Sequence, residues 1–517
     1  MNKKVVRMSY FKDLEAQATN VSITENGAIG LKTTNNPILD LNFMVSSLRS
    51  LNDEELDKLS KQYIERIYTE KSGDPVADEQ KKYFLKWLFY LRDVRGGLGE
   101  RRSFRKFINN MSYMIKSDYS LSAIKLIPEY GRWDDLILLI NNIHLQSIVS
   151  NILLEQINND IKSEHPSLLA KWMPSTNASS KNSRELALKL CKMWGFKEKL
   201  YRKTMSSLRK KIGIIETMMS KNNWKEIDYE KVPSKANLIY KDAFLRNDEQ
   251  RRSQYLEQVA SGEKKINTSA NFPHEIVNKY SLHEIDTTLE IMWKSLPKVD
   301  IEKPFIVVAD GSGSMLSCIG NTNVTALAVA NSLAIYFSER LTGEFKDKYI
   351  TFSTRPKFVD LSQEKTLKDK IAKARTFNEI SDTNIERVFD LLLSVATKNG
   401  YKQEEIPNVL IISDMEFNDA TDMNNYNTLF EVINNKWKIA GYSMPKLVFW
   451  NVNSRTNTIP MKENENGVIL VSGFSQNVIK TVMSGKMDPW EALKEILDSD
   501  RYKNVPSLDF NLKIIEC

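Results

Sequence analysis

The stretch Phe305-Ile-Val-Val-Ala-Asp310-Gly-Ser312-Gly-Ser314 decides the reading of this 517-residue chain. Phe305-Ile-Val-Val308 is a short, β-branched apolar run of the kind that forms a strand buried on both faces. It leads into a carboxylate and two hydroxyls at alternate positions of a glycine-relieved turn, ahead of a helix expected from near Thr325. Open α/β sheets place their ligands outside the carboxyl ends of the strands. Three hard oxygen donors converging there suit Mg²⁺ or Mn²⁺, which favour oxygen ligands in octahedral geometry. Two more donors stand where other strand ends are expected: Thr383 in Ser381-Asp-Thr-Asn384, and Asp414 after Val409-Leu-Ile-Ile-Ser413. Other chemistries fit less well. A phosphate-binding P-loop needs a Lys after its glycines, and none follows. A nucleophile elbow needs a downstream histidine, yet the last is His283. A phosphotransferase with an aspartyl nucleophile would want a second acid where Ser312 stands. A polar helix cap accounts for one of the three residues but not for the set.

Working outward, similar runs recur at Tyr349-Ile-Thr-Phe352, Val409-Leu-Ile-Ile412, Leu447-Val-Phe-Trp450 and Val468-Ile-Leu-Val471. Helical stretches lie between them at 324–341, 365–374, 385–397 and 429–440. Alternating strand and helix predicts a doubly wound, mostly parallel α/β domain over 304–517, entered through the Lys/Asp/Pro segment 297–304. Residues 37–296 read differently. Apolar positions recur at helical spacing, broken by short polar or Pro/Gly punctuation, without a heptad seam or a repeat of fixed period. That predicts stacked antiparallel helix pairs. Residues 1–36 are set apart as an N-terminal extension of loop or short strand.

Composition narrows the functions. Residues 301–517 carry 25 basic and 28 acidic side chains, and residues 1–300 carry 48 and 38, so the overall charge of +7 comes from the helical part. A confined basic excess is what a polyanion-binding surface looks like, and a solvated helix face gives the same count. Cys191, Cys318 and Cys517 lie far apart, and His144, His165, His274 and His283 form no metal-binding spacing. A disulfide framework and a Cys/His zinc site are thereby excluded. Residues 1–17 carry no readable leader, and no run reaches the roughly 18 apolar residues of a membrane span. The expectation is a soluble protein of the cytoplasm, or of a virion if viral, with no membrane partner.

Asp310-x-Ser312-x-Ser314, Thr383 and Asp414 resemble the metal-ion-dependent adhesion site of a von Willebrand factor A domain. The resemblance implies that Asp310, Ser312 and Ser314 hold the cation, that Thr383 and Asp414 complete the set, and that an open metal position accepts an acidic group from a partner. Ser381-Asp382 replaces the frequent Gly-Gly before the threonine. Arg92-Asp-Val-Arg-Gly-Gly-Leu-Gly-Glu-Arg-Arg102, Ile127-Pro-Glu-Tyr-Gly-Arg-Trp-Asp-Asp135, Ala170-Lys-Trp-Met-Pro174, Tyr201-Arg-Lys203 with Leu208-Arg-Lys-Lys211, and Pro273-His-Glu-Ile276 resemble an uncharacterised family of unknown function. That family joins a Ro-like, or TROVE-like, helical module of HEAT-like repeats to a C-terminal A domain. The Ro proteins bind RNA, so the resemblance implies RNA as a partner here, in a ribonucleoprotein. Candidate contacts are Arg92, Arg95, Arg101, Arg102, Arg105, Arg202, Lys203, Arg209, Lys210 and Lys211, with Trp133, Trp172 and Tyr201 nearby in sequence. Pairing of these arginines with Asp93, Glu100, Asp134 and Asp135 explains the first cluster equally well. No nucleophile-base pair is visible, and Glu416 is the one spare acid near the metal loop, so a binding protein is expected rather than an enzyme. The alternative is an assembly or adhesion protein of a viral particle that binds no RNA.

Overall fold

The computed structural model describes residues 19–69, 75–114, 120–298, 305–320, 322–379, 381–419, 428–461, 467–475 and 488–506. Cys517, most of the 297–304 segment and residues 1–17 lie outside them. The chain divides into a sheet-bearing unit (1–52, 272–293 and 297–498) and a helical unit (53–271, 294–296 and 499–517). Each unit is assembled from more than one segment of the chain. Residues 19–52 and the 272–293 helices cluster with the sheet, and residues 499–506 cluster with the helices.

In the sheet-bearing unit, β1 (Ser22–Ile23) and β2 (Ile29–Gly30) form a small antiparallel pair. The main sheet contains β3 (Phe305–Asp310), β4 (Lys348–Phe352), β5 (Lys357–Asp360), β6 (Asn408–Ser413), β7 (Leu447–Asn451) and β8 (Val468–Ser472), in the order β5-β4-β3-β6-β7-β8. All pairings are parallel except that of β4 with β5. The apolar runs read from the sequence become the five parallel strands. The edge strand β5, Lys-Phe-Val-Asp, is too short and polar to stand out in the sequence. The order reverses direction between β3 and β6, and such a switch point opens a crevice at the strands' carboxyl ends.

Helix Ala326–Ser338 is buried nearly all round, as its Ala-rich apolar sequence demands. Helix Pro273–Lys279 packs against it. A single core joins Val308, Ile350, Val409, Ile411, Phe449 and Leu470 of the strands to Phe389, Phe430 and Trp437 of helices Glu386–Asn399 and Leu429–Ile439. Ala28 and Phe43 from the N-terminal segment belong to the same core.

The helical unit is built of helices that pack on sequence neighbours, including Asp53–Thr69 on Arg102–Met114 and Gln146–Lys162 on Lys181–Trp194. Phe84, Trp87 and Phe107 interlock at ring separations of 6.0 to 6.2 Å. In the Gly96-Gly97-Leu98-Gly99 loop, a β-carbon on Gly97 would lie 2.0 Å from the Tyr90 carbonyl oxygen, so the chain can pass there only as glycine.

Candidate metal centre

Asp310 closes β3, Ser413 closes the neighbouring β6 and Asp414 follows it, so two loops meet at the switch point. Gly311 lets the chain turn against β4. Its N–H donates to the Phe352 carbonyl at 2.8 Å, and a β-carbon would press on Thr351 Oγ1 at 2.9 Å. The Ser312 N–H donates to Asp310 Oδ1 at 2.9 Å, and the Ser413 hydroxyl donates to Oδ2 at 2.5 Å. The hydroxyls of Ser312 and Ser314 lie 3.0 Å apart. Asp310, Ser312, Thr383 and Asp414 are all buried.

Asp414 Oδ1 accepts from the Glu416 N–H at 3.2 Å, whereas Oδ2 is buried without a hydrogen-bond partner. Burial raises the pKa of both carboxyls, and the charge of Asp310 raises that of Asp414 further. Two desolvated carboxylates this close repel one another unless a cation lies between them. Among the described residues no group of three or more His, Cys, Asp and Glu assembles. The donor set is therefore two carboxylates with hydroxyls, which fits a hard divalent ion and not a soft one. Thr383 reaches the site indirectly: its loop accepts at the Ser381 carbonyl from the Gly313 N–H at 3.1 Å. The Thr383 N–H donates to Asn418 Oδ1 at 3.2 Å.

Asn26 and Arg455, which no sequence motif signals, complete the surroundings together with Glu416. Asn26 Nδ2 donates to Thr383 Oγ1 at 3.2 Å and to the Glu416 carbonyl at 2.6 Å. The Arg455 guanidinium spans the site: Nη2 lies 3.6 Å from Asp414 Oδ2, Nη1 donates to Ser317 Oγ at 2.9 Å, and Nε pairs with Glu25 Oε1 at 2.7 Å. Glu416, expected as a spare acid, is fully committed. Its Oε2 accepts from the Glu25 N–H at 2.9 Å, and its Oε1 accepts from the N–H groups of Arg455 at 2.8 Å and Thr456 at 3.0 Å. The hydroxyls of Ser454 and Thr456 add to it. It ties the β1–β2 turn to the loop after β7.

The basic residues proposed from sequence differ in burial and in their partners. Arg92 is buried, with Nε on Asp135 Oδ2 at 2.8 Å. Arg105 joins Asp135 at 2.5 Å and Asp134 at 2.7 Å, and Arg102 joins Asp53 at 2.8 Å. Arg209 donates to the carbonyls of Ala170 and Met173, each at 2.8 Å, and Lys211 donates to that of Ile161 at 2.9 Å. Arg202 sits 3.8 Å from Glu198. Asp93 pairs instead with Arg501, at 2.8 Å. Arg95, Arg101, Lys203 and Lys210 are exposed. Partial burial and the charges of Arg132 and Arg105 depress the Arg101 pKa. Of the aromatics, Trp172 carries Arg132 over its ring at 4.2 Å, and Tyr201 is buried with its hydroxyl on the Pro174 carbonyl.

Residues 305–507 match a family described as a domain of unknown function (DUF7788), and residues 148–300 match another (DUF2828). An uncharacterized protein of Acanthamoeba polyphaga mimivirus is 27% identical over 524 residues, spanning 93% of this chain and 87% of that protein. The crystal structure of the Deinococcus radiodurans RO (RSR) protein aligns with a TM-score of 0.35 at 10% identity, over 86% of this chain and 98% of that one. No helix among the described residues is long and apolar enough to cross a membrane.

Proposed function

We propose that this chain is a non-enzymatic, Ro-like binding protein whose sheet-bearing unit is a von Willebrand factor A domain with a divalent-cation adhesion site. Asp310, Ser312, Ser314, Thr383 and Asp414 would hold Mg²⁺ or Mn²⁺. The bound ion would supply a Lewis-acidic position for a carboxylate of a protein partner. The observation that carries this reading is the buried Asp414 Oδ2, which has no hydrogen-bond partner, in the same site as a second buried carboxylate, Asp310. The chain's own part is electrostatic. Ser413 and the Ser312 N–H fix the Asp310 carboxylate, and Gly311 brings the first loop against β4. The test is Mn²⁺ uptake followed by electron paramagnetic resonance. Asp310→Ala should abolish uptake while the chain still melts cooperatively, and retained affinity in that variant refutes the site.

RNA engagement by the helical unit is the second component of the proposal. It is favoured by the exposed Arg101, Lys203 and Lys210, and not by the engaged Arg92, Arg105 and Arg209. The mimiviral relative favours a protein of the host cytoplasm or the virion as the setting.

A further inference from the structure

Arg455 has no place in the adhesion-site motif, yet its guanidinium approaches one of the proposed ligands. Nη2 stands 3.6 Å from Asp414 Oδ2, the buried oxygen that lacks a hydrogen-bond partner. Three other contacts hold the guanidinium: Ser317 Oγ and the Ser314 carbonyl in the first loop, at 2.9 and 3.4 Å, and Glu25 Oε1 in the β1–β2 turn, at 2.7 Å. Its backbone N–H is fixed separately on Glu416 Oε1 at 2.8 Å, so the side chain can be altered without releasing the loop. The arrangement is a charge relay in space, Asp414 to Arg455 to Glu25, in which the middle group is a permanent cation.

We propose that Arg455 is the built-in counter-cation of the site, competing with the divalent ion for Asp414, and that Glu25 sets the strength of that competition. The inference rests on the metal-site reading and adds to it a residue that tunes affinity. A guanidinium and a divalent ion both seek the same carboxylate oxygen, and like charges close together oppose one another. Glu25 draws part of the guanidinium's field away from Asp414. The β1–β2 turn that carries Glu25 also carries Asn26, which donates to Thr383 Oγ1, so this one turn touches the site through a second proposed ligand.

Mn²⁺ affinity of the full chain, measured by electron paramagnetic resonance titration, is the test. Arg455→Met keeps the aliphatic stem and removes the charge. It should tighten Mn²⁺ binding about tenfold, the low end of what a neighbouring charge does to a carboxylate, because the guanidinium is partly exposed and screened. Arg455→Lys, which keeps the charge, should stay close to the wild type. Glu25→Gln leaves the loop untouched and should weaken binding several-fold, which tests the relay even if the Met variant folds poorly. Unchanged or weaker binding in Arg455→Met, or no effect of Glu25→Gln, overturns the inference while leaving the metal site standing. Absence of Mn²⁺ uptake in every protein, wild type included, removes the metal site and the inference together.

Discussion

Replacing Glu416 with Ala isolates the contribution of one buried carboxylate to the geometry of the candidate site. The side chain accepts three backbone N–H donors, from Glu25, Arg455 and Thr456, at 2.9, 2.8 and 3.0 Å, as well as two hydroxyls. A buried donor left without an acceptor costs about 1–3 kcal/mol, and a bond to a charged acceptor falls toward the upper part of that range. Even one such loss per segment lowers the local opening free energy by about 1.4 kcal/mol or more, which is at least about tenfold in an equilibrium constant. Hydrogen exchange read by mass spectrometry on segments 22–30 and 452–459 should therefore accelerate about 10- to 100-fold in Glu416→Ala, with little change in the helical unit. Glu416→Gln keeps one acceptor oxygen and should fall in between. Exchange at the wild-type rate in the Ala variant would show that Glu416 is not what ties the turn to the loop. A Gln variant as fast as Ala would refute counting acceptors as the basis of the effect.

Two other expectations concern pH and salt. Burial raises Asp310 to about 6, and burial together with the charge of Asp310 raises Asp414 to about 7, against an ordinary 3.8. The metal-free folded state therefore binds more protons than the unfolded one between those values, and stability must fall as pH rises through them. Relative to Asp310→Asn, the wild type should lose melting temperature from about pH 4 to about pH 7.5, and a difference that stays flat with pH refutes the coupling. For RNA, the triple variant Arg101→Glu, Lys203→Glu, Lys210→Glu should lower the log-log salt slope of single-strand binding by about 2, at about 0.7 per phosphate contact. Fluorescence anisotropy across a salt series measures it, and an unaltered slope excludes these three side chains.

How far the sequence disclosed this arrangement depends on the separation of the interacting parts. Asp310, Ser312 and Ser314 were legible because the donors and the strand that presents them are contiguous, and the β-branched run announces the strand. Asp414 followed from the same logic at β6. Arg455 and Glu25 were not legible, since they meet across 430 residues and neither carries a motif. The basic cluster at 92–105 was visible as composition, but its partners were not: Arg92 finds Asp135 at a separation of 43 residues, and Asp93 finds Arg501 at 408. Charge counted along a chain does not reveal which charges are already neutralised by distant ones. The assembly of the sheet-bearing unit from distant segments was hidden for the same reason. Ala28 and Phe43 are ordinary small and aromatic residues until the strands they pack on, more than 250 residues later, are in place.

That long return has a bearing on synthesis. β2 continues into Leu31, which exchanges backbone hydrogen bonds with Ile459, each 2.9 Å long. A ribosome adding about 5–20 residues per second needs roughly 20–90 s to deliver the second residue after the first. During that interval residues 53–271 and 294–296 of the helical unit emerge, and the turn bearing Glu25 and Asn26 waits without the loops it will join. A fragment beginning at the 297–304 segment would lack that turn altogether. It would leave Glu416 without its Glu25 donor and Thr383 without Asn26, however intact the six-stranded sheet.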